Sequence, residues 1–154
     1  NLAISHNRLN GYRDALKTHN LSLDESLVVE CDFSLQDGRN ATMQLLGQEN
    51  RPDGIFVVND AAAFGCLQEL KINHISVPDQ ISVVGFTNEP LSDLIEPSLT
   101  TVSQPTYEIG KVAAQLLLRR ISEGKKNYVP QTTILDTVLV IRNSTKKIPP
   151  GKVQ

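Results

Sequence analysis

The stretch Ile55-Phe56-Val57-Val58-Asn59-Asp60 decides how this sequence is expected to fold. Its first four residues are apolar without polar alternation, which is typical of a strand buried on both faces in a parallel sheet. Asn59-Asp60 follows at once and can cap a helix, and the apolar stripe of that helix consists of Ala63, Phe64, Leu67 and Leu70. A buried strand that leads directly into an amphipathic helix predicts an α/β unit.

Strand and helix also alternate upstream of this stretch. The pattern predicts a helix over 7–19 with Asn7 as its N-cap, and a short strand over 27–31. Ser34 followed by Asp37 is a weak capping box, which predicts the start of a second helix.

The alternation continues downstream. The pattern predicts a strand over 81–86, one helical turn within 87–98 and a strand over 99–103. Pro105 and Gly124 predict the start and the end of a further helix, and we expect one strand or two short ones over 132–141. The whole predicts a Rossmann-like α/β fold, in which helices flank a mostly parallel sheet joined by right-handed crossovers. In such sheets ligands bind outside the carboxyl ends of the strands.

Composition bounds the function. The 154 residues suit one domain or a piece of a larger protein, and no apolar run approaches the roughly 20 residues that span a bilayer. The formal net charge of −2 argues against nucleic-acid binding by this stretch itself, because phosphate binding needs a basic face. Cys31 and Cys66 lack zinc-like spacing, and we expect buried thiols in a reducing compartment.

Enzyme signatures are absent from the sequence. It has no Gly-rich phosphate loop, no Gly-x-Ser-x-Gly elbow and no His-Glu-x-x-His, so we expect neither catalysis, nor a metal, nor a cofactor. We expect its three histidines, His6, His19 and His74, to lie on the surface, because they have no metal-binding partners at suitable spacing in the sequence. Asp32 and Asp60 both follow predicted strands and could form an acid/base pair, but capping or polar ligand contacts explain them more simply.

A series of short motifs occurs in order along the chain: Arg8-Leu9-Asn10-Gly11-Tyr12, Asp32-Phe33-Ser34, Arg51-Pro52-Asp53-Gly54-Ile55-Phe56, Val58-Asn59-Asp60, Val77-Pro78-Asp79-Gln80-Ile81-Ser82-Val83-Val84-Gly85-Phe86, Pro97-Ser98-Leu99-Thr100-Thr101-Val102, Gln104-Pro105 and Ile141-Arg142-Asn143-Ser144-Thr145. In this order and spacing the series resembles the C-terminal part of the effector-binding core of LacI/GalR-type (lactose-repressor family) transcriptional regulators, over residues 5–145.

The resemblance implies part of a periplasmic-binding-protein-like type I core with two Rossmann-like lobes. We expect residues 1–104 and 129–145 to form a C-terminal lobe that is incomplete at its start. Residues 105–128 would be a crossing segment whose helix belongs to the N-terminal lobe, and this helix would expose its apolar stripe in the isolated chain. We expect the tail, 146–154, to be disordered.

The resemblance also places effector contacts. Arg8 matches the family's effector-contacting arginine, although a solvated arginine at a helix start is the alternative. Phe33 matches an aromatic that stacks on the effector ring, or packs in the core. Asn59 and Asp60 would make polar contacts to the effector, with N-capping by Asp60 as the alternative.

Two further contacts follow β-strands. Thr87 stands where the family commonly has an aspartate, so the usual clamp on sugar hydroxyls is in doubt, and Asn88 or Glu89 could substitute. The alternative is that Thr87 only ends its strand. Gln104 matches a cleft-facing position at a lobe crossing, or serves helix entry. The residues that map to the family's dimer interface, or alternatively to the core, are Phe64, Leu91, Leu94 and Ile95.

The resemblance implies a cytoplasmic homodimeric regulator. A small effector, a sugar or related metabolite, would bind in the cleft between the lobes and change operator affinity allosterically. DNA would be contacted through an N-terminal helix-turn-helix domain absent from this chain, without any membrane partner. The alternative is an extracytoplasmic sugar-binding protein of a transport system, which shares the architecture but which the lack of a signal peptide disfavours.

Overall fold

The computed structural model describes residues 3–127 and 129–146. The helices are α1 (Ala3–Thr18), α2 (Leu35–Leu46), α3 (Asp60–Ile72), α4 (Leu91–Leu94) and α5 (Thr106–Asn127), and a 3-10 turn covers Glu25–Leu27. The strands are β1 (Gly54–Phe56), β2 (Ser82–Thr87), β3 (Thr100–Ser103) and β4 (Val138–Val140). The predicted disordered tail lies outside the described residues, apart from Lys146.

The described strands form one sheet in the order β1-β2-β3-β4. β1 pairs with β2 and β2 with β3 in parallel, with Ile55 opposite Val83 and Gly85 opposite Thr101. β4 runs antiparallel to β3. The predicted α/β class with a mostly parallel sheet is therefore confirmed.

The core lies between this sheet and the helices α2 and α3. Its buried apolar residues are Leu45, Leu46, Ile55, Val57, Ala62, Ala63, Cys66, Leu70, Ile81, Val83 and Leu99. Gly65 on α3 faces the backbone of Leu35 on α2 so closely that a Cβ there would collide with the Leu35 carbonyl. The glycine therefore permits backbone contact between the two helices, which positions the start of α3 at the end of β1.

Three helix boundaries test the sequence signals. Ser34 and Asp37 form the predicted capping box, in which the Asp37 amide donates to Ser34 Oγ and the Ser34 amide to Asp37 Oδ2, both at 3.2 Å. The predicted N-cap Asn7 is wrong, since α1 runs from Ala3 and no proline or glycine before Asn7 interrupts it. Gly124 does not end α5, which continues to Asn127, because a glycine in a helix costs only about 1 kcal/mol.

The strand predicted over 27–31 is not formed. Leu27 closes the 3-10 turn, Val28 is extended, and residues 28–31 do not join the sheet. A strand needs a ladder partner, and the edge of β1 that faces this segment is unpaired across an open groove. Leu27 and Val29 nevertheless pack against the core.

Helix α5 exposes much of its apolar stripe. Val112 and Leu116 are half-buried, whereas Ile109, Leu117 and Ile121 are exposed. This exposure agrees with the expectation for a helix whose partner is another lobe or chain. No helix in the described part of the chain combines the length and the apolar character that crossing a membrane requires.

Candidate functional site

Polar residues gather where the parallel strands end. Asn59 follows the apolar stretch that contains β1, Thr87 is the last residue of β2, and Gln104 follows β3 directly. The expected burial of this stretch on both faces is wrong, since β1 buries Ile55 but exposes Phe56. Because β1, β2 and β3 are parallel, these positions share one edge of the sheet, where ligands bind in folds of this kind. We call this edge, with Arg8 and Phe33 described below, the rim.

Asn59 holds the segment that carries Phe33. Its Oδ1 accepts from the Ala62 amide at 3.0 Å, so Asn59, and not Asp60, is the N-cap of α3. Its Nδ2 donates to the Phe33 carbonyl at 2.9 Å. The Phe33 ring is 44% exposed, which makes it an apolar surface at the rim rather than a buried core residue. Its predicted stacking on an effector stays a prediction.

Arg8 reaches the rim from α1. Its Nη1 donates to the Val58 carbonyl at 2.8 Å, and its guanidinium lies 4.1 Å from the centre of the Phe86 ring. Burial lowers the pKa of Arg8, although an arginine stays charged at any physiological pH. Arg8 is thus a half-buried positive charge held beside the ends of β1 and β2.

Asp60 is fully buried, and both its oxygens accept hydrogen bonds from the chain itself. Oδ2 accepts from the Glu89 amide at 2.9 Å and from Ser92 Oγ at 2.6 Å, and Oδ1 accepts from Thr101 Oγ1 at 2.6 Å. The carboxylate therefore joins α3, β3 and the loop around α4. Sequence reasoning assigned Asp60 to effector contact or capping, and did not anticipate this buried hub.

Thr87 and Asn88 form the most unusual backbone at the rim. Their φ angles are 129° and 56°, and a β-branched residue at positive φ is strained. Such strain tends to collect at functional sites. Thr87 Oγ1 is also buried without a hydrogen-bond partner, the sole such atom among the side chains that the structure describes, those of residues 5–123 and 129–146. An unpaired buried hydroxyl costs about 1–3 kcal/mol, so Thr87 carries an unsatisfied donor and acceptor beside the rim.

Arg142 connects the rim to α4, a link that sequence reasoning missed. Its Nη2 donates to Asn88 Oδ1 at 2.9 Å and its Nη1 to the Leu99 carbonyl at 2.8 Å. Its Nε contacts Asp93 Oδ1 on α4 at 3.1 Å. The signal available in the sequence was its place in the motif Ile141-Arg142-Asn143-Ser144-Thr145, which alone does not show what it binds.

A cavity of about 630 Å³ opens beside β1 and reaches the rim. Arg8 and Phe33 line it, together with Asp32. The other predicted effector contacts, Asn59, Asp60, Thr87 and Gln104, are not among its lining residues. The structure thus brings Arg8 and Phe33 to one cavity and places the remaining four around the neighbouring strand ends.

The four predicted dimer residues divide into two pairs. Phe64 and Ile95 are half-buried and pack against the core. Leu91 and Leu94 on α4 are 48% and 79% exposed. A dimer contact through α4 is therefore open to the exposed pair, and the interface stays a prediction.

The cysteines are free thiols, with Cys66 buried and Cys31 half-buried. Burial raises the pKa of Cys66 to about 11, and burial with nearby Asp37 and Asp32 raises that of Cys31. Both stay protonated at neutral pH, which makes them poor nucleophiles and metal ligands. Over the described ranges, no three His, Cys, Asp or Glu residues are placed to hold a metal ion.

Known proteins share this sequence and fold. Residues 1–145 match the family described as "Periplasmic binding protein-like domain". The HTH-type transcriptional repressor PurR of Vibrio campbellii is 35% identical over 146 residues, which cover 95% of this chain and 43% of that protein. This chain therefore spans less than half the length of that relative.

Two solved structures extend the comparison. A complex of the transcriptional regulator CelR with cellobiose matches with a TM-score of 0.84 at 34% identity, over 89% of this chain and 41% of that one. A LacI family transcriptional regulator from Enterococcus faecium with bound ribose matches with a TM-score of 0.80 at 33% identity, over 91% of this chain and 51% of that one. These relatives are regulators and not enzymes, which confirms the prediction that the chain is not an enzyme.

One family assignment follows from three observations. These are the mostly parallel sheet with its polar rim, the family match over residues 1–145 and the repressor relatives. The chain belongs to the periplasmic binding protein-like domain family, in the form that LacI-type transcriptional regulators carry.

Proposed function

We propose that this chain is the effector-sensing and dimerisation portion of a cytoplasmic LacI-type transcriptional regulator. Its rim binds a small neutral metabolite, a sugar or a related compound, between two lobes. Residues 1–104 and 129–145 belong to the C-terminal lobe, and the helix within 105–128 packs on the other lobe. DNA is contacted by a helix-turn-helix domain outside residues 1–154, and the regulator acts as a homodimer.

The observation that carries this proposal is the buried, unpaired Thr87 hydroxyl at the rim. A threonine hydroxyl both donates and accepts, so this position suits a hydroxyl or amide group of an uncharged ligand. The exposed ring of Phe33, a residue whose carbonyl accepts from Asn59 at the rim, offers an apolar face on which a sugar or base ring can lie. Ribose and cellobiose in the two related structures are neutral, hydroxyl-rich molecules of this class.

A signal from the rim can reach α4 through two sets of hydrogen bonds. Asp60 binds the Glu89 amide and Ser92 beside α4, while Arg142 joins Asn88 to Asp93 on α4. A ligand that prefers one arrangement of the strained Thr87-Asn88 backbone shifts the population of the dimer toward it. Allosteric coupling of this kind is typically about 1–3 kcal/mol.

A titration of the intact regulator with a panel of sugars and nucleobases tests the proposal. We expect at least one compound to bind by calorimetry and to change operator affinity. Phe33→Ala should weaken binding of that compound by roughly twofold to tenfold, since a stacked ring contributes about 0.5–1.5 kcal/mol.

Ile72→Ala is the matched control, because Ile72 is 53% exposed at the C-terminal end of α3, the end opposite to the Asn59 cap at the rim. It should leave affinity unchanged. Equal losses in both variants, or no loss in Phe33→Ala, would contradict the assignment of the rim as the effector site.

A further inference from the structure

The two cysteines of the chain lie near each other in the fold, although they are far apart in the sequence. Cys31 precedes α2 and Cys66 lies in the second turn of α3. Both are free thiols, and both line the cavity beside β1. Burial is the main cause that raises the pKa of Cys66, and the proximity of Cys31 adds to it. The fold therefore brings two unpaired thiols together.

Helix α2 is a common neighbour of both thiols. Asp37, in the first turn of this helix, is close enough to Cys31 to add to the effect of burial on the pKa of that thiol. Thr42, near the middle of the same helix, has its side chain within hydrogen-bonding reach of the Cys66 thiol. The two sulfur atoms thus lie against the same half of α2, beside residues that are little more than one helical turn apart.

The two thiols differ in how firmly they are enclosed. A Cβ at Gly38 of α2 would collide with the Ala62 carbonyl of α3, so the two helices are in backbone contact. Cys66 follows Ala62 by four residues and lies on the same face of α3, where it is 1% exposed. Cys31 is only half-buried. An oxidant in solution therefore reaches Cys31 first, and Cys66 is the thiol that waits beside it.

We propose that Cys31 and Cys66 form a reversible intramolecular disulfide when the protein meets hydrogen peroxide. The Cys31 thiolate attacks one peroxide oxygen, the O–O bond breaks, and the other oxygen takes up a proton and leaves as water. The sulfur of Cys66 then attacks the resulting sulfenic acid, whose S–O bond breaks, and the Cys66 proton leaves with the hydroxide as a second water. Two thiols and one peroxide thus give one disulfide and two waters, and a dithiol reductant reverses the change.

The disulfide would act directly on the rim. Phe33 follows Cys31 by two residues, and its carbonyl accepts from Asn59 Nδ2, the cap of α3, at 2.9 Å. A bond from Cys31 to Cys66 adds a covalent tie between the same segment and the same helix. A change of effector affinity on oxidation rests on the proposed function, whereas formation of the disulfide does not. Because the reactive thiolate is scarce at neutral pH, the bond forms slowly and responds to sustained oxidation.

Peptide mapping by mass spectrometry tests the proposal without any effector, so its failure leaves the proposed function untouched. The reduced, intact regulator is treated with hydrogen peroxide, blocked with N-ethylmaleimide and digested without reductant. We expect a linked pair of peptides that contain Cys31 and Cys66, from protein that runs as a single chain on a non-reducing gel. Dithiothreitol should separate the pair. Sulfinic acid on Cys31 without any linked pair, or a link between two copies, would overturn the proposal.

Cys66→Ala and Cys31→Ala are the matched variants. In Cys66→Ala the sulfenic acid on Cys31 has no second thiol to react with, so dimedone should trap roughly tenfold more of it than in the parent. In Cys31→Ala the buried Cys66 should remain largely unmodified over the same time, because enclosed thiols are inert. Equal dimedone labelling of Cys31 in the parent and in Cys66→Ala would contradict the proposal, and so would faster oxidation of Cys66 in Cys31→Ala than of Cys31 in the parent.

Discussion

Removal of the Asp60 carboxylate should be among the most destabilising single changes in this chain. The side chain is fully buried and accepts from the Glu89 amide, Ser92 Oγ and Thr101 Oγ1. Hydrogen bonds to a charged group contribute about 1.5–3 kcal/mol each. In Asp60→Ala the two hydroxyls can rotate toward other acceptors, but the Glu89 amide cannot.

We therefore expect Asp60→Ala to lower the free energy of unfolding by about 3–5 kcal/mol. This is less than the sum of three hydrogen bonds to a charged group, and similar to the cost of breaking a buried charged pair. Asp60→Asn keeps the shape and one acceptor oxygen, so its loss should be about 1–3 kcal/mol. Urea unfolding followed by circular dichroism measures both. At a slope of about 2 kcal/mol per molar urea, the midpoint of Asp60→Ala should fall by roughly 2 M.

Asp93→Ala is the matched control, because Asp93 pairs with Arg142 but its side chain is 73% exposed. A surface ion pair contributes about 0–1 kcal/mol, so this variant should unfold almost as the parent does. A loss below 1 kcal/mol in Asp60→Ala, or equal losses in both alanine variants, would refute the role of Asp60 as the buried hub.

Three further experiments test the packing around Gly85, the role of α4 as an interface and the burial of the two thiols. Gly85→Ala should lower the free energy of unfolding in urea by about 1–3 kcal/mol, since its Cβ would collide with the buried Asp60 carboxylate. Gly11→Ala, which has open space around it, should raise that free energy by about 0.4–1 kcal/mol. The reverse order of stability would contradict the packing described. Leu94→Glu should shift the intact regulator toward monomers in sedimentation, and an unchanged profile would argue against α4 as the interface. Between pH 7 and 9, iodoacetamide should modify Cys31 before Cys66, because burial raises the Cys66 pKa to about 11; faster labelling of Cys66 would show that its site opens.

The local parts of the fold could be predicted from the sequence. The unbroken apolar run before Asn59 predicts β1, and Ser34 with Asp37 predicts the start of α2. Both signals depend only on residues that are close together in the sequence. The segment 27–31 shows the limit. Its apolar residues suit a strand, but strand formation depends on a partner that lies elsewhere in the chain.

The sequence could place polar residues at the strand ends, but it could not show what they contact. Arg8 and Phe33 line one cavity, and their roles at an effector stay predictions. Asp60 and Asn59 are adjacent in sequence, yet Asn59 caps α3 while Asp60 collects donors from residues 29 to 41 positions away. Such distant pairings, and the reach of Arg142 to Asn88, follow from the packing of the sheet and leave no local pattern in the sequence.

The Thr87→Val variant tests the central claim most directly. It removes the unpaired hydroxyl and keeps the shape and the β-branch, so the free energy of unfolding should stay the same or rise by about 1 kcal/mol. The affinity of the intact regulator for its effector, measured by calorimetry, should fall roughly tenfold, the equivalent of one hydrogen bond of about 1.4 kcal/mol. Unchanged affinity together with unchanged stability would show that the Thr87 hydroxyl does not contact the effector, and would contradict the account.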